Sequence, residues 1–349
     1  MGLLNKIGIR RVNELIGVDI GSSSIKICCL KGGKGAYKVA QIARKFYEDD
    51  LLNEGQIIDK EFVARELKEI LAENKIKTKY AATALSSYVV ITKEVTLPFL
   101  EEEELENSIS FEVENAIPFP LKDVYFSHYV LGMSQDREDM INVQIAASKK
   151  EIVDGYMDTF NLAGLNLQIL DVDIFGITNL VELIYSPKNV SVLAVDVGAS
   201  TTNMAIMRDA NIQFTREILL GGKSLSQQIA RTANMSFAEA EAKKIGGNET
   251  VSHLFDDFIY GISSEINKTI NFYVSIKPKE TISKIYLSGG SSLLKGLKEK
   301  VQEETRVDVE YVNPFLLVDP VPENMAQYDD YKVFNAVALW LSSRISDLA

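Results

Sequence analysis

The chain offers little to redox or metal chemistry: two cysteines and two histidines occur among 349 residues. Cys28 and Cys29 are neighbours, and adjacent strand residues point to opposite faces, so a disulfide between them is strained. His128 and His253 stand far apart, without Cys, His or Asp partners at metal-ligand spacing. Basic charge is also short. The net charge of −12 excludes a protein whose main partner is nucleic acid, because neutralising phosphates takes a basic surface. No apolar run approaches the ~18 residues of a membrane-spanning helix. The start, MGLLNKIGIRR, lacks the apolar core and cleavage site of a signal peptide. Lys6 stands where a myristoylation signal needs Ser or Thr. What remains is an ordinary globular composition, 46% apolar and 25% charged, long enough for two domains at ~150 residues each. A reducing cytosol fits these absences.

The most informative feature is an internal echo. Residues 15–30 read LIGVDIGSSSIKICCL and residues 192–207 read VLAVDVGASTTNMAIM, so Asp19 and Asp196 correspond at half the chain length. In each copy an apolar run reaches Asp, turns at Gly and small hydroxylated residues, and re-enters an apolar run, which predicts a β-hairpin. A repeat at half the length predicts two similar α/β lobes facing one another rather than a solenoid. Apolar spacing predicts a helix over 60–74, strands over 80–97 closed by Pro98, and an acidic helix over 101–116 stopped by Pro118 and Pro120. Strands over 124–133 and 141–148 follow, flanking an acidic loop, then a helix over 149–163 capped by Gly164. The second lobe reads as its hairpin, a strand ending at Gly221-Gly222, helices over 223–233, 236–245 and 251–276, and a strand over 284–290. The final segment reads as a last packed helix, since it lacks the basic stripe of a membrane-surface helix.

Three glycine-rich turns each follow an apolar strand: Gly21-Ser22-Ser23-Ser24, Gly198-Ala199-Ser200-Thr201-Thr202 and Gly289-Gly290-Ser291. Such turns present successive backbone N–H groups and let a phosphate approach closely. Opposed hairpins from two lobes can clamp a triphosphate between them. Asp19 and Asp196, each just before its turn, are placed to hold Mg²⁺ through water, because Mg²⁺ gives up its hydration reluctantly. Lys26 is placed to reach the β- and γ-phosphates, whereas the second copy has Asn203 there. Any one of these turns alone is commonly a plain hairpin, and neither a P-loop nor a dinucleotide fingerprint is present. Their order and spacing carry the reading.

GVDIGSSSIK, VDVGASTTN and LSGGSSLLKG resemble the two phosphate motifs and the adenosine motif of the actin/Hsp70/sugar-kinase superfamily. That resemblance implies an α/β, actin-like (ribonuclease H-like) two-lobed fold that binds ATP with Mg²⁺. It assigns Glu241 and Lys244 of AEAEAKKIGG to the adenosine, and Gly221-Gly222 to the turn near the ribose. Lys223 follows where relatives more often carry Asp or Asn. Within the superfamily, VTLPFLEEEELENSISFEVENAIPFPLKDVYFSHYVL and INVQIAASKKEIVDGYMDTFNLAGLNLQILDVDIF are similar to the PilM family of type IV pilus assembly proteins, relatives of the division protein FtsA.

The resemblance divides the chain into a first lobe (1–90), an inserted subdomain (91–168), a second lobe (169–335) and a C-terminal helix (336–349) packing back on the first lobe. It implies a cytoplasmic scaffold at the inner face of the inner membrane, binding the N-terminal cytoplasmic tail of the bitopic protein PilN. An extended tail would lie between the insertion and the first lobe, with Leu97, Phe99, Ile117 and Phe119 as candidate anchors. Asp173, at the join between lobes, is the candidate to orient a hydrolytic water, with slow ATP turnover at most. Two other functions compete. A small-molecule kinase would need a general base, for which Asp171 and Asp173 are placed. An FtsA-like filament protein would carry a C-terminal membrane-targeting helix beyond a linker, and none is read here.

Overall fold

The computed structural model describes residues 14–33, 37–134, 137, 139–246, 251–318 and 334–348. The initial segment read above for targeting signals, parts of the acidic loop near 134–139 and the start of the last amphipathic segment lie outside them. Strands β1 (Glu14–Ile20) and β2 (Ser24–Lys31) form the first hairpin, and β3 (Lys38–Phe46) extends it. The short strands β4 (Leu52–Asn53) and β5 (Gln56–Ile57) pair next, followed by helix α1 (Lys60–Glu73). Asp59 starts α1 by accepting the Phe62 N–H, satisfying one of the orphan donors of the first turn. β6 (Tyr80–Leu85) returns parallel to β1.

A second, smaller unit interrupts the chain here. β7 (Ile91–Pro98), α2 (Glu102–Ala116), β8 (Val124–Met133) and β9 (Met140–Lys149) build a three-stranded antiparallel sheet in the order β7-β9-β8. Leu105, Ile109 and Val113 of α2 recur at helical spacing and bury against Val95, Val143 and Ile145. Helix α3 (Lys150–Leu162), strand β10 (Asn166–Val172) and helix α4 (Asp173–Tyr185) then rejoin the first sheet, whose order is β10-β6-β1-β2-β3. The boundary expected at residue 168 therefore falls inside a strand of the first lobe. The inserted sheet and α2 occupy 91–149, while α3 buries Val153, Tyr156 and Phe160 in the first lobe's own core. Only sheet pairing, a non-local property, separates the two.

The second lobe repeats the plan. β11 (Ser191–Val197) and β12 (Thr202–Arg208) form its hairpin and β13 (Asn211–Ile218) extends it. Helices α5 (Gly222–Ala233), α6 (Phe237–Gly246) and α7 (Ser252–Ile276) follow, then β14 (Ile282–Ser288), α8 (Leu297–Thr305) and β15 (Asp308–Tyr311). Its sheet runs β13-β12-β11-β14-β15. Helix α9 (Ala336–Ser343) ends the order.

Strand alternation explains the layers. Ile16, Val18 and Ile20 face α1 and α3, whereas Leu15 shares a core with α4, α9, Val192 and Ala194. Leu193, Val195 and Val197 face α7 and α8. So α4 and α9 lie between two sheets whose outer faces are covered by helices. Gly17 permits the closest approach: a Cβ there would meet the Ala338 carbonyl oxygen at 1.9 Å. Cys28 and Cys29 are buried free thiols on opposite faces, and burial pushes Cys29 up to about 12.

Candidate functional site

The two hairpin turns have one geometry. The Gly21 N–H donates to the Ser24 carbonyl and the Gly198 N–H to the Thr201 carbonyl, each at 2.9 Å. The turns face each other across a cleft of about 1080 Å³, and the Ser22 and Ser200 hydroxyls are 2.8 Å apart. The third turn closes from the second lobe. Gly289 has φ +84°, and a Cβ there would lie 2.5 Å from Asp196 Oδ1, so only glycine fits. Ser291 donates to the Gly198 carbonyl at 2.8 Å and locks this turn to the second hairpin.

Strand register lays the chemistry out in two rows. Asp19, Lys26 and Arg44 are neighbours across β1, β2 and β3. Asp196, Asn203 and Glu217 are neighbours across β11, β12 and β13. All six line the cleft. In the first row Lys26 Nζ lies 2.7 Å from Asp19 Oδ2. In the second the acids stand without a lysine of their own. Burial pushes Asp196 up to about 6, held back by Lys26. Asp173, at the start of α4, sits beside this row: it accepts the Ser87 N–H at 3.0 Å, and the Asn203 amide reaches it at 3.4 Å. Burial, then the neighbouring Glu217, pushes Asp173 up to about 8. Burial also raises Glu217, while a hydrogen bond from Thr201 opposes the rise.

Most of the residues singled out in the sequence meet here. Asp19, Gly21, Ser22, Ser23, Ser24, Lys26, Asp173, Asp196, Gly198, Ser200, Thr201, Glu241, Lys244, Gly289, Gly290 and Ser291 line the cleft. Glu241 accepts from Ser226 and pairs with Lys244, whose ammonium also reaches the Gly222 carbonyl at 3.2 Å. Gly221 and Gly222 form backing rather than lining: Gly222 N–H donates to Gly198 O, and a Cβ on Gly221 would meet Ala199 O at 2.5 Å.

Three expectations need correction. Thr202 is fully buried and donates to the Leu220 carbonyl, because alternation turns Thr202 away from the cleft that Asn203 faces. Lys223 turns to Asp50 of the first lobe at 2.8 Å. Asp171, the base considered for a kinase, is buried in an ion pair with Arg344, which follows the end of α9. Sequence reasoning missed Arg44, Glu217, Phe46, Phe334 and Ile245. Arg44 lies between the Phe46 and Phe334 rings, 4.6 and 4.3 Å from their centroids. Phe334 sits so near Gly290 that a Cβ there would meet its ring at 2.1 Å. No local motif marks these residues; only strand pairing and chain return bring them in.

A second, smaller cavity of about 330 Å³ opens between the inserted sheet and the first lobe. Ile117, Phe119 and Val124 line one side, Tyr88, Val89 and Ile152 the other. Lys149 holds its ammonium 4.5 Å from the Phe119 ring centroid. The four anchors expected for a partner divide: Ile117 and Phe119 line this groove, Leu97 is buried in the inserted core, and Phe99 stands 71% exposed outside it.

Two lobes with matching hairpins, closing on a glycine-walled cleft with helices between the sheets, are the actin-like ATPase fold. A solved structure of MreB5 of Spiroplasma citri bound to AMPPNP shares it at TM-score 0.52 and 12% identity, over 95% of each chain. The family is narrower. The family model described as Type IV pilus assembly protein PilM matches residues 17–343, and the chain belongs to that family. It is similar to a chain of the PilM-PilN type IV pilus biogenesis complex, with TM-score 0.86 and 27% identity over 97% of this chain and 99% of that one. The cell division protein FtsA of Enterococcus faecalis is 21% identical over 372 residues, 90% of this chain and 82% of that protein. Among the described residues no helix is long and apolar enough to cross a membrane.

Proposed function

We propose that the chain is an ATP-binding scaffold of type IV pilus assembly that docks the N-terminal cytoplasmic tail of a PilN-like inner-membrane protein. The observation that carries this reading is the apolar groove beside Phe119 in a chain whose similar solved relative forms a PilM-PilN complex. Docked this way, the protein works at the cytoplasmic face of the inner membrane through its partner. Ile117 and Phe119 supply the anchors, while backbone hydrogen bonds fix the course of an extended tail. A flexible tail loses conformational entropy on docking, so a few buried apolar anchors carry most of the affinity.

The cleft would hold the nucleotide. Its donor set suits Mg-ATP: Asp19 and Asp196, one carboxyl from each lobe, border the cleft where a divalent cation would sit, with Lys26 and Arg44 on the first lobe's side for the phosphates. Among the described residues no three His, Cys, Asp or Glu form a direct cage, which suits an ion that keeps its waters and takes phosphate oxygens. Asp19 and Asp196 would hold it through water, Lys26 would reach the phosphates, and the three turns would supply N–H donors. Glu241 and Lys244 border the adenosine, where exposed Ile245 adds apolar contact. The bound cation would neutralise phosphate charge. Asp173 is placed to orient a water, but with its proton held up to about pH 8 it is a poor base. ATP turnover is expected to be slow at most.

Immobilised protein exposed to detergent-solubilised native membranes tests the scaffold reading. Recovery of PilN, lost with Phe119→Ala under preserved circular dichroism, supports it. Failure to recover PilN with either form overturns it. A thermal-shift response to a sugar or small acid, with none to the tail, would favour the kinase.

A further inference from the structure

A ring of contacts joins the two lobes at the first two glycine turns. In the first lobe the segment 47–51 is strapped to the first turn. The Tyr47 N–H donates to the Ser23 carbonyl at 2.9 Å, and the Leu51 N–H to the Ser22 carbonyl at 2.8 Å. Leu51 is buried in the first lobe's core, so Asp50, one residue earlier, is held at the edge of the cleft. In the second lobe the start of α5 is strapped to the second turn in the same way. The Lys223 N–H donates to the Ala199 carbonyl at 2.8 Å, and the Gly222 N–H to the Gly198 carbonyl at 3.0 Å. Two contacts then join the halves. The Ser22 and Ser200 hydroxyls meet at 2.8 Å, and Lys223 Nζ lies 2.8 Å from Asp50 Oδ1. The Lys223 ammonium also lies 5.6 Å from the Phe237 ring centroid, a contact that steadies it where it stands.

We infer that the Asp50–Lys223 ion pair is a latch between the lobes that sets how fast nucleotide enters and leaves the cleft. This rests on reading the cleft as the nucleotide site. The two joining contacts differ in what a ligand does to them. A phosphate seated between the turns would take up the Ser22 and Ser200 hydroxyls, exchanging one hydrogen bond for others. The ion pair stands outside that exchange, because Asp50 only borders the cleft and Lys223 is not among its lining residues. It is therefore made whether or not the cleft is filled. Passage of a triphosphate parts the lobes, and parting them breaks the pair on the way in and on the way out. The pair raises both barriers equally and cancels from the affinity. Its side chains are 17% and 41% exposed, so its contribution is that of a partly exposed pair. It slows each step by about two- to fivefold, and by less as salt screens it.

Stopped-flow fluorescence on the full chain tests this, with a fluorescent AMPPNP analogue and Mg²⁺ as the probe and excess unlabelled Mg-AMPPNP to chase its release. Lys223→Met and Asp50→Asn are each expected to speed both binding and release by about two- to fivefold, while Kd stays within about twofold of wild type. The double variant is expected to be no faster than either single one, because all three lose the same contact. Added salt should speed release from the wild type more than from the variants. The two single variants lie in different lobes, so either carries the comparison if circular dichroism shows the other misfolded. Unchanged rates in a folded variant overturn the latch and leave the nucleotide site intact. A change confined to release, with a matching loss of affinity, also overturns it, since that marks a contact with bound nucleotide. If the probe does not bind the wild type, the nucleotide reading fails, and the latch falls with it.

Discussion

The first lobe presents Asp19, Lys26 and Arg44 across its hairpin and third strand; the second presents Asp196, Asn203 and Glu217 at the same three positions. The backbone is repeated down to the hydrogen bond inside each turn, yet the side chains differ in sign. One row answers its acid with two cations, and the other continues with an amide and a second acid. Burial therefore acts differently on the two. In the first, the Asp19–Lys26 pair lies within 2.7 Å. In the second, burial pushes Asp196 up to about 6, and Asp173, which sits beside that row, up to about 8. A repeated fold has fixed where groups stand, and the sequence at each row has decided which lobe brings positive charge and which brings acid.

Breaking the support behind one lobe gives the largest effect. Arg344→Ala leaves Asp171 buried and unpaired beneath the first sheet, and is expected to cost ~3–5 kcal/mol. Urea unfolding reads this, and an unchanged midpoint would show that the pair supports nothing. Next come the two equivalent acids. If both rows grip one Mg-ATP, Asp19→Ala and Asp196→Ala should each weaken it at least about tenfold, ~1.4 kcal/mol. Unchanged affinity in both variants sinks the nucleotide assignment.

The smallest effect sharpens the contrast in acidity. Folded Asp173 keeps its proton to about pH 8, whereas an unfolded Asp loses it near ~4. Between those values the native state binds the extra proton, so stability falls as pH rises through the window. Asp173→Asn removes this dependence. It should match wild type near pH 4 and exceed it by ~1 kcal/mol at pH 8, a modest part of the full linkage because the site relaxes. A wild-type advantage that grows with pH would contradict the assignment.

Local pattern revealed what is local. The hairpins were legible because apolar runs, Asp and glycine turns sit within sixteen residues of one another, and so were the helices with clear apolar spacing. Glu217 and Arg44 were not, because each joins its row only through the register of a third strand. Phe334 reaches Gly290 from far along the chain. Thr202 was misread because two consecutive threonines look alike in a motif, while alternation sends one to the cleft and one to the core. The same limit displaced the inserted boundary: α3 and β10 follow the insertion in sequence but pair and pack with the first lobe. Leu97 and Phe99 illustrate it again, two residues apart, one buried and one exposed.

The most direct test of the central claim is a calorimetric titration of the synthetic PilN tail into the purified chain, beside a folded Phe119→Ala variant. Saturable binding to the wild type, weakened by ~2 kcal/mol or about thirtyfold in the variant, is the result predicted for a buried anchor. Equal affinity in both proteins would move the docking site away from the groove, and no binding to the wild type would contradict the scaffold itself.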